Sequence, residues 1–173
     1  MERIKTDQEI IDYFSDLILD ELKEFNCWVA GGAVLSYIDN RPINDFDIYF
    51  TNKEDRRKCF DYLKAKEGIV TVNNDIIIRM LYNNKTLELT TNYYESPQHC
   101  VDDYDYSVCG IGVDCEKVYK VDNFYDGWRN KLLVLNNIQN PVKNLIRMQK
   151  YLRRGYRMTE TETMRLVNSI QQQ

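Results

Sequence analysis

Val29-Ala30-Gly31-Gly32-Ala33-Val34-Leu35-Ser36, followed about a dozen residues on by Asn44-Asp45-Phe46-Asp47-Ile48-Tyr49, is the stretch on which the fold turns. Cys27-Trp28-Val29-Ala30 reads as a short buried strand that stops at two glycines, and Ala33 to Ile38 is apolar and helical in pattern. A strand that passes through glycines into a helix leaves bare backbone N–H groups at the helix N-terminus, where phosphate oxygens are held. Pro42 ends the connection, and Asp45 to Phe50 is a second strand. Side chains two apart on a strand share a face, so Asp45 and Asp47 stand side by side near the glycine turn. Adjacent carboxylates repel, and burying either is costly without a cation. Oxygen-only ligation beside a phosphate cradle suits Mg²⁺, which takes one or two carboxylates plus substrate phosphates. Further on, Leu87-Glu88-Leu89 sets one carboxylate in the middle of another strand. If that strand neighbours Asp45 and Asp47, Glu88 completes a three-carboxylate site able to hold two metal ions.

On the N-terminal side, Thr6 with Glu9 makes a capping box, and Ile11, Phe14, Ile18, Leu22 and Phe25 recur on one helical face. On the C-terminal side, Asp55 to Lys66 suggests a helix carrying Cys59, Phe60 and Leu63 inward. Ile69 to Val72, Asp75 to Tyr82 and Thr86 to Thr91 are β-prone runs separated by Asn-Asn pairs, as in an antiparallel meander. Tyr106 to Val113 and Val118 to Val121 read as further strands. From Asn123 the pattern turns helical, with Pro141 at a helix start and Thr159 with Glu162 as a second capping box. The expected fold is α+β or mixed α/β in one domain over 1–173: a small mixed sheet over about 26–121 and helices over about 123–172.

Composition narrows the class. A chain of 173 residues buries enough surface for a stable core without disulfide staples. Hydrophobic residues at 43% and charged residues at 29% exclude a disordered or membrane-embedded chain. The net charge of -4 argues against coating nucleic acid by bulk charge. No basic-then-apolar leader or membrane-length apolar run is present, so no membrane partner is expected and the cytoplasm is the default compartment. Cys27, Cys59, Cys100, Cys109 and Cys115 are odd in number and form no CxxC pair, as expected of reduced thiols. His99-Cys100 with Cys109 and Cys115 fits no standard zinc spacing.

A Gly-Gly turn, Asp-x-Asp in a strand and a later apolar-acidic-apolar strand resemble the DNA polymerase β-like nucleotidyltransferases. The nearest likeness is to the head domain of tRNA CCA-adding enzymes and poly(A) polymerases, and to small phage-type relatives of that head. Asp105-Tyr106-Ser107-Val108-Cys109 resembles the Asp-Phe-Thr strand of that head, and Leu145 to Tyr156 resembles its arginine-rich helix. The resemblance implies transfer of a nucleoside monophosphate from an NTP, with ATP or CTP first in line, to a hydroxyl on an RNA 3′ end, a protein or a small molecule. It implies two Mg²⁺ ions on Asp45 and Asp47 with Glu88 as third ligand, phosphate contact at Gly31 and Gly32, and a nucleotide contact at Asp105.

The departures bear on substrate. Leu35-Ser36 stands where CCA-adding enzymes carry Arg-Asp, leaving Ser36 as the nucleotide-side residue. Asp103-Tyr104 replaces a pair of arginines, and no counterpart of the long tRNA-gripping body is expected. CCA addition is therefore not expected. Between Pro141 and Arg157 lie six basic residues and no acidic one, and Lys143, Arg147, Lys150, Arg154 and Arg157 draw one stripe along a helix whose apolar side is Val142, Leu145, Ile146 and Leu152. Arg147, Lys150 and Arg154 are its candidates for triphosphate contact. Residues 1–25 hold eight acids against three bases, so internal pairing competes for that stripe. His99 is the only histidine, which leaves little room for histidine-based catalysis. Most of the 13 tyrosines sit at expected core positions, so packing is favoured over base stacking. A catalytically silent nucleotide- or RNA-binding module, or a protein-interaction domain that retains the fold, is the competing expectation.

Overall fold

The computed structural model describes residues 3–172. Thr6 accepts from the Glu9 N–H while the Glu9 carboxylate reaches back to Thr6 N, the expected reciprocal cap of α1 (Asp7–Phe14). The helical run continues through a π-turn (Ser15–Leu19), α2 (Asp20–Leu22) and a 3₁₀ turn (Lys23–Phe25). Ile10, Phe14, Ile18 and Leu22 are all buried, whereas Ile11 and Phe25 of the expected face are only partly so. Four-residue steps drift around an ideal α-helix, and the wider π-turn keeps them facing the core.

β1 (Cys27–Ala30) is buried throughout and leads through Gly31 into α3 (Gly32–Ile38). β2 (Phe46–Phe50) alternates, with Phe46, Ile48 and Phe50 buried and Asp47 and Tyr49 on the opposite face. α4 (Lys53–Ala65), capped by Asn52, buries Cys59 and Leu63. β3 (Ile69–Asn73), β4 (Ile77–Tyr82) and β5 (Lys85–Tyr93) form the antiparallel meander. Its second turn carries Asn83 and Asn84 at positive φ, which suits the right-handed twist of a tight hairpin. α5 (Pro97–Asp102), β6 (Ile111–Val113), β7 (Val118–Lys120), α6 (Phe124–Asn130), β8 (Leu132–Leu133), α7 (Pro141–Leu152), β9 (Arg157–Met158) and α8 (Glu160–Gln171) follow.

The seven-stranded sheet has the order β3-β4-β5-β2-β1-β6-β7. Only β2–β5 is parallel among its neighbouring pairs, closing the crossover through α4. The mixed α/β expectation therefore holds. A main core of Phe14, Val34, Leu35, Ile48, Leu63 and Leu89 lies on one face of the sheet, and a smaller cluster of Trp28, Ala30, Cys100 and Val101 on the other. All five cysteines are free, and four are buried. Among the described residues no helix is long and apolar enough to cross a membrane.

Three expectations are corrected. The strand over Tyr106 to Val113 is broken: Tyr106 makes one isolated bridge to Leu135, Ser107–Cys109 is a 3₁₀ turn, and pairing resumes at Ile111. Ser107 N donates to Val134 O, and the Tyr106 hydroxyl to Asn144 O, so this segment is drawn toward the C-terminal helices. The second capping box is half made. Thr159 accepts from Glu162 N, but the Glu162 carboxylate turns to Leu135 N at 2.7 Å and to Arg165. The basic stripe is shorter than expected, because α7 stops at Leu152 and Gly155 takes φ +86° beyond it, which leaves Arg154 and Arg157 off the helix. Its apolar side also faces outward, with Val142 53% and Ile146 64% exposed, while Pro141, Asn144 and Tyr151 are buried. The polar groups on that buried side are tied to the Tyr106–Cys109 segment, through Asn144 O and the Tyr151 hydroxyl, which turns the helix that way.

Candidate active site

Val29 of β1 is paired with Ile48 of β2, so the chain leaves β1 at Gly31 level with the start of β2. Gly31 has φ +74° and ψ −125°, a combination outside the regions open to L side chains. A Cβ there would lie 2.3 Å from the Tyr104 hydroxyl. Gly32 opens α3 with nothing within 4 Å of its own Cβ position, so its backbone can be approached.

Asp47 and Glu88 are direct partners across the parallel β2–β5 pair. Asp45 stands exposed one residue ahead of β2. Burial, reinforced by the charges of Glu88 and Asp45, pushes the Asp47 carboxyl up to about 7, with Arg147 pulling the other way. Glu88 is 8% exposed, and its Oε1 accepts from Arg79 Nε at 2.6 Å across β4–β5.

Among the described residues no group of three or more His, Cys, Asp or Glu side chains is gathered to hold a metal. Glu88 is instead paired with Arg79. Asp45 and Asp47 remain as a pair of oxygen donors whose repulsion Arg147 offsets only in part. That donor chemistry fits Mg²⁺, which commonly completes its shell with water and substrate phosphates.

Beside the carboxylates lies a cavity of 290 Å³ whose walls include Tyr49, Tyr104, Asp105, Lys143, Asn144 and Arg147. Arg147 Nη1 lies 3.3 Å from Asp105 Oδ2, and burial raises the Asp105 carboxyl against the pull of that guanidinium. The Tyr49 and Tyr104 hydroxyls are 2.9 Å apart, and burial lifts both well above the ordinary tyrosine range, keeping them neutral. Asp103 accepts from the Tyr94 hydroxyl, Asn137 Nδ2 and Gln139 Nε2, which fastens the segment before α7 to the end of β5.

Of the expected site residues, Asp105 and Arg147 line the cavity; Asp45, Asp47 and Glu88 do not, but the Asp47 carboxyl feels the charges of Glu88, Asp45 and Arg147. Ser36, Lys150 and Arg154 do not line it either. Ser36 is buried within α3, Lys150 is exposed on α7, and the Arg154 guanidinium lies over the Tyr151 ring at 5.8 Å. Sequence reasoning missed Tyr49, Arg79, Asp103 as a fastener, Tyr104 as a group over Gly31, and Asn144. Tyr49 was within reach of the period-two argument, because it lies two residues past Asp47 on the same face. The others depend on contacts between distant segments.

The family model of the Gabija anti-defense 2 family protein matches residues 5–131. The chain belongs to the Gabija anti-defense 2 family. Gabija anti-defense 2 of Bacillus phage SPbetaL7 is 26% identical over 161 residues, which cover 90% of this chain and 40% of that protein. Among solved structures, a tRNA-processing enzyme in an apo form superposes with a TM-score of 0.72 at 13% identity, over 98% of this chain and 49% of that one. The Bacillus stearothermophilus CCA-adding enzyme in complex with CTP gives 0.67 at 16% identity, over 90% and 42%. The Thermotoga maritima CCA-adding enzyme complexed with tRNA gives 0.69 at 13%, over 98% and 46%. The chain therefore spans less than half the length of each. At these identities the likeness establishes the fold, which is that of the CCA-adding nucleotidyltransferases.

Proposed function

We propose that this Gabija anti-defense 2 family chain is a nucleotidyltransferase of the DNA polymerase β-like type, moving a nucleoside monophosphate from an NTP to a hydroxyl acceptor. The observation that carries this is the pairing of Asp47 with Glu88 on parallel strands, with Asp45 just ahead, close to the open backbone at Gly32. In this reading the acceptor oxygen forms a bond to the α-phosphorus, the bond from that phosphorus to the bridging oxygen breaks, and pyrophosphate leaves with the electron pair. The hydroxyl proton passes to the carboxylate cluster. Asp45 and Asp47, with Glu88 once it is released from Arg79, would hold Mg²⁺, and two ions are the expected number. When bound, Mg²⁺ would lower the pKa of the acceptor hydroxyl and neutralise charge on the triphosphate. The Gly32 N–H would orient phosphate oxygens, since the Gly31 N–H expected to share that task is donated to Ile111 O at 2.8 Å, and the Arg147–Asp105 pair would flank the nucleotide, with ATP or CTP the first candidates. The matched phage protein is named for anti-defense against Gabija, and the proposed transfer is the means by which this chain would serve that role.

A silent nucleotide-binding module is the second reading, favoured by Arg79 seated on Glu88 and by Tyr104 over Gly31. Incubation with each α-labelled NTP, Mg²⁺, total RNA and protein separates the two. Label should move with the wild type and stop with Asp45→Asn and Asp47→Asn. Transfer persisting in both variants sinks the site. No transfer, together with an ATP- or Mg²⁺-dependent rise in melting temperature, favours the silent binder.

A further inference from the structure

The sheet face that carries Asp47 and Glu88 is covered at one end and bare at the other. α5 packs against β1, β6 and β7. At the β3 end, Ile69 and Leu81 are direct partners across β3–β4 and are 60% and 41% exposed. Leu81 is in turn the partner of Thr86 on β5, while Arg79 is the partner of Glu88, which is the partner of Asp47. Arg79 and Leu81 lie two residues apart on one face, so the row Ile69–Leu81–Thr86 runs about 7 Å from the row Arg79–Glu88–Asp47. β3 is also the edge strand of the sheet, with a paired neighbour on one side only. Its outer backbone N–H and C=O groups are a template for another extended chain.

The charge on this face selects the partner. From Ile69 to Tyr93 the charged side chains are Asp75, Arg79, Lys85 and Glu88, two of each sign. Arg79 is already committed to Glu88. A nucleic acid would need a row of free cations to meet its phosphates, and the row Ile69–Leu81–Thr86 has none; Lys53 and Arg56 of α4 lie at the other end of these strands, with Asn73, Asp75 and Tyr93. An extended polypeptide needs backbone partners at the edge and an apolar seat beside it, and both are present. Three strand spacings separate a chain paired on the outer edge of β3 from β5, roughly 14 Å, which about five extended residues span.

We propose that the acceptor is a Ser, Thr or Tyr hydroxyl on an extended protein segment that pairs with the β3 edge and crosses Ile69 and Leu81 to reach Glu88. This rests on the nucleotidyl-transfer reading and names its acceptor class. The product is a phosphodiester between that side-chain oxygen and the nucleoside monophosphate, with pyrophosphate released.

The test offers two defined acceptor pools with each α-labelled NTP and Mg²⁺. One is a set of ten-residue peptides, each with a single Ser, Thr or Tyr among β-branched residues; the other is single-stranded RNA oligonucleotides plus tRNA. The wild type should label peptides. The double variant Ile69→Asn/Leu81→Asn should raise the peptide KM about tenfold or more while the NTP-dependent melting shift stays unchanged. Label on RNA and on no peptide overturns this inference and leaves the transfer reading standing. Label on neither pool overturns both. An unchanged peptide KM in the double variant removes the β3–β4 face from acceptor binding.

Discussion

Replacing Asp47 by Asn should make the protein more stable at alkaline pH and remove the part of its pH dependence that Asp47 carries. The Asp47 carboxyl has an ordinary value of 3.8 and is pushed to about 7 in the fold, first by burial and then by Glu88 and Asp45. The folded chain therefore holds a proton that the unfolded chain has lost, and stability falls wherever that is so. The contribution is complete below the unfolded value and disappears as pH rises through the folded one. The gap between the two corresponds to on the order of 4 kcal/mol. For a chain of this length that is roughly 8–16 °C in melting temperature. Asn keeps the shape and carries no charge, so Asp47→Asn should match the wild type near pH 4 and exceed it by up to that amount at pH 8. Asp105, whose carboxyl is also raised by burial, is present in both proteins and cancels in the difference. Urea unfolding followed by tryptophan fluorescence at pH 4.5, 6, 7 and 8, without divalent cations, reads the effect. Millimolar Mg²⁺ at pH 8 should then narrow the gap by stabilising the wild type alone. Parallel pH profiles, or a variant weaker than the wild type at pH 8, would refute the argument that Asp47 is a buried and incompletely compensated acid.

Gly31→Ala should cost about 1–3 kcal/mol from the strained backbone together with the clash against Tyr104. Adding Tyr104→Ala should return only the steric part in thermal melts. Arg147→Ala removes the cation from the buried Asp105 and should weaken NTP binding about tenfold by calorimetry, and Arg147→Lys should restore it only in part because a point charge lacks the guanidinium fork. Val142→Gln and Ile146→Gln should each change stability by less than about 0.5 kcal/mol in urea, since both side chains lie on the outer face of α7. A loss of about 2 kcal/mol in either would mean that this face packs inward.

What the sequence disclosed followed from local rules. The Thr6–Glu9 cap, the buried run Cys27–Ala30 and the alternation Phe46, Ile48, Phe50 each announce themselves within a few residues, and each formed. The adjacency of Asp47 and Glu88 was stated only as a condition, because pairing of strands 41 positions apart is decided by packing and not by either strand alone. Tyr106 to Val113 has the composition of a strand, but Ser107 N found Val134 O and the Tyr106 hydroxyl found Asn144 O, so tertiary contacts overrode local preference. On α7, hydrophobicity pointed to the wrong face. Asn144 and Tyr151 are poor markers of burial by residue type, yet their bonds to the Tyr106–Cys109 segment hold that side inward and leave Val142 and Ile146 out.

The departures from the CCA-adding pattern acquire a common physical meaning in three dimensions. Leu35 and Ser36 are buried inside α3, so this turn sends no charge toward the glycine backbone. Asp103 accepts three hydrogen bonds from Tyr94, Asn137 and Gln139, and Tyr104 lays a neutral hydroxyl against Gly31. Three positions that could have supplied positive charge to a triphosphate instead supply packing and cross-links. Lys143 and Arg147 are the cations that line the cavity, and Arg147 is shared with Asp105. A triphosphate seated here would therefore be neutralised mainly by divalent ions on Asp45 and Asp47 and by backbone dipoles, with two side-chain cations in support. Few exposed cations mean a weak dependence on ionic strength, whereas reliance on ions bridging two carboxylates and a triphosphate means a steep dependence on free Mg²⁺. Transfer rates measured against NaCl at fixed Mg²⁺, and against Mg²⁺ at fixed NaCl, should separate in that order. A steep fall with NaCl at saturating Mg²⁺ would show that side-chain cations carry the nucleotide after all.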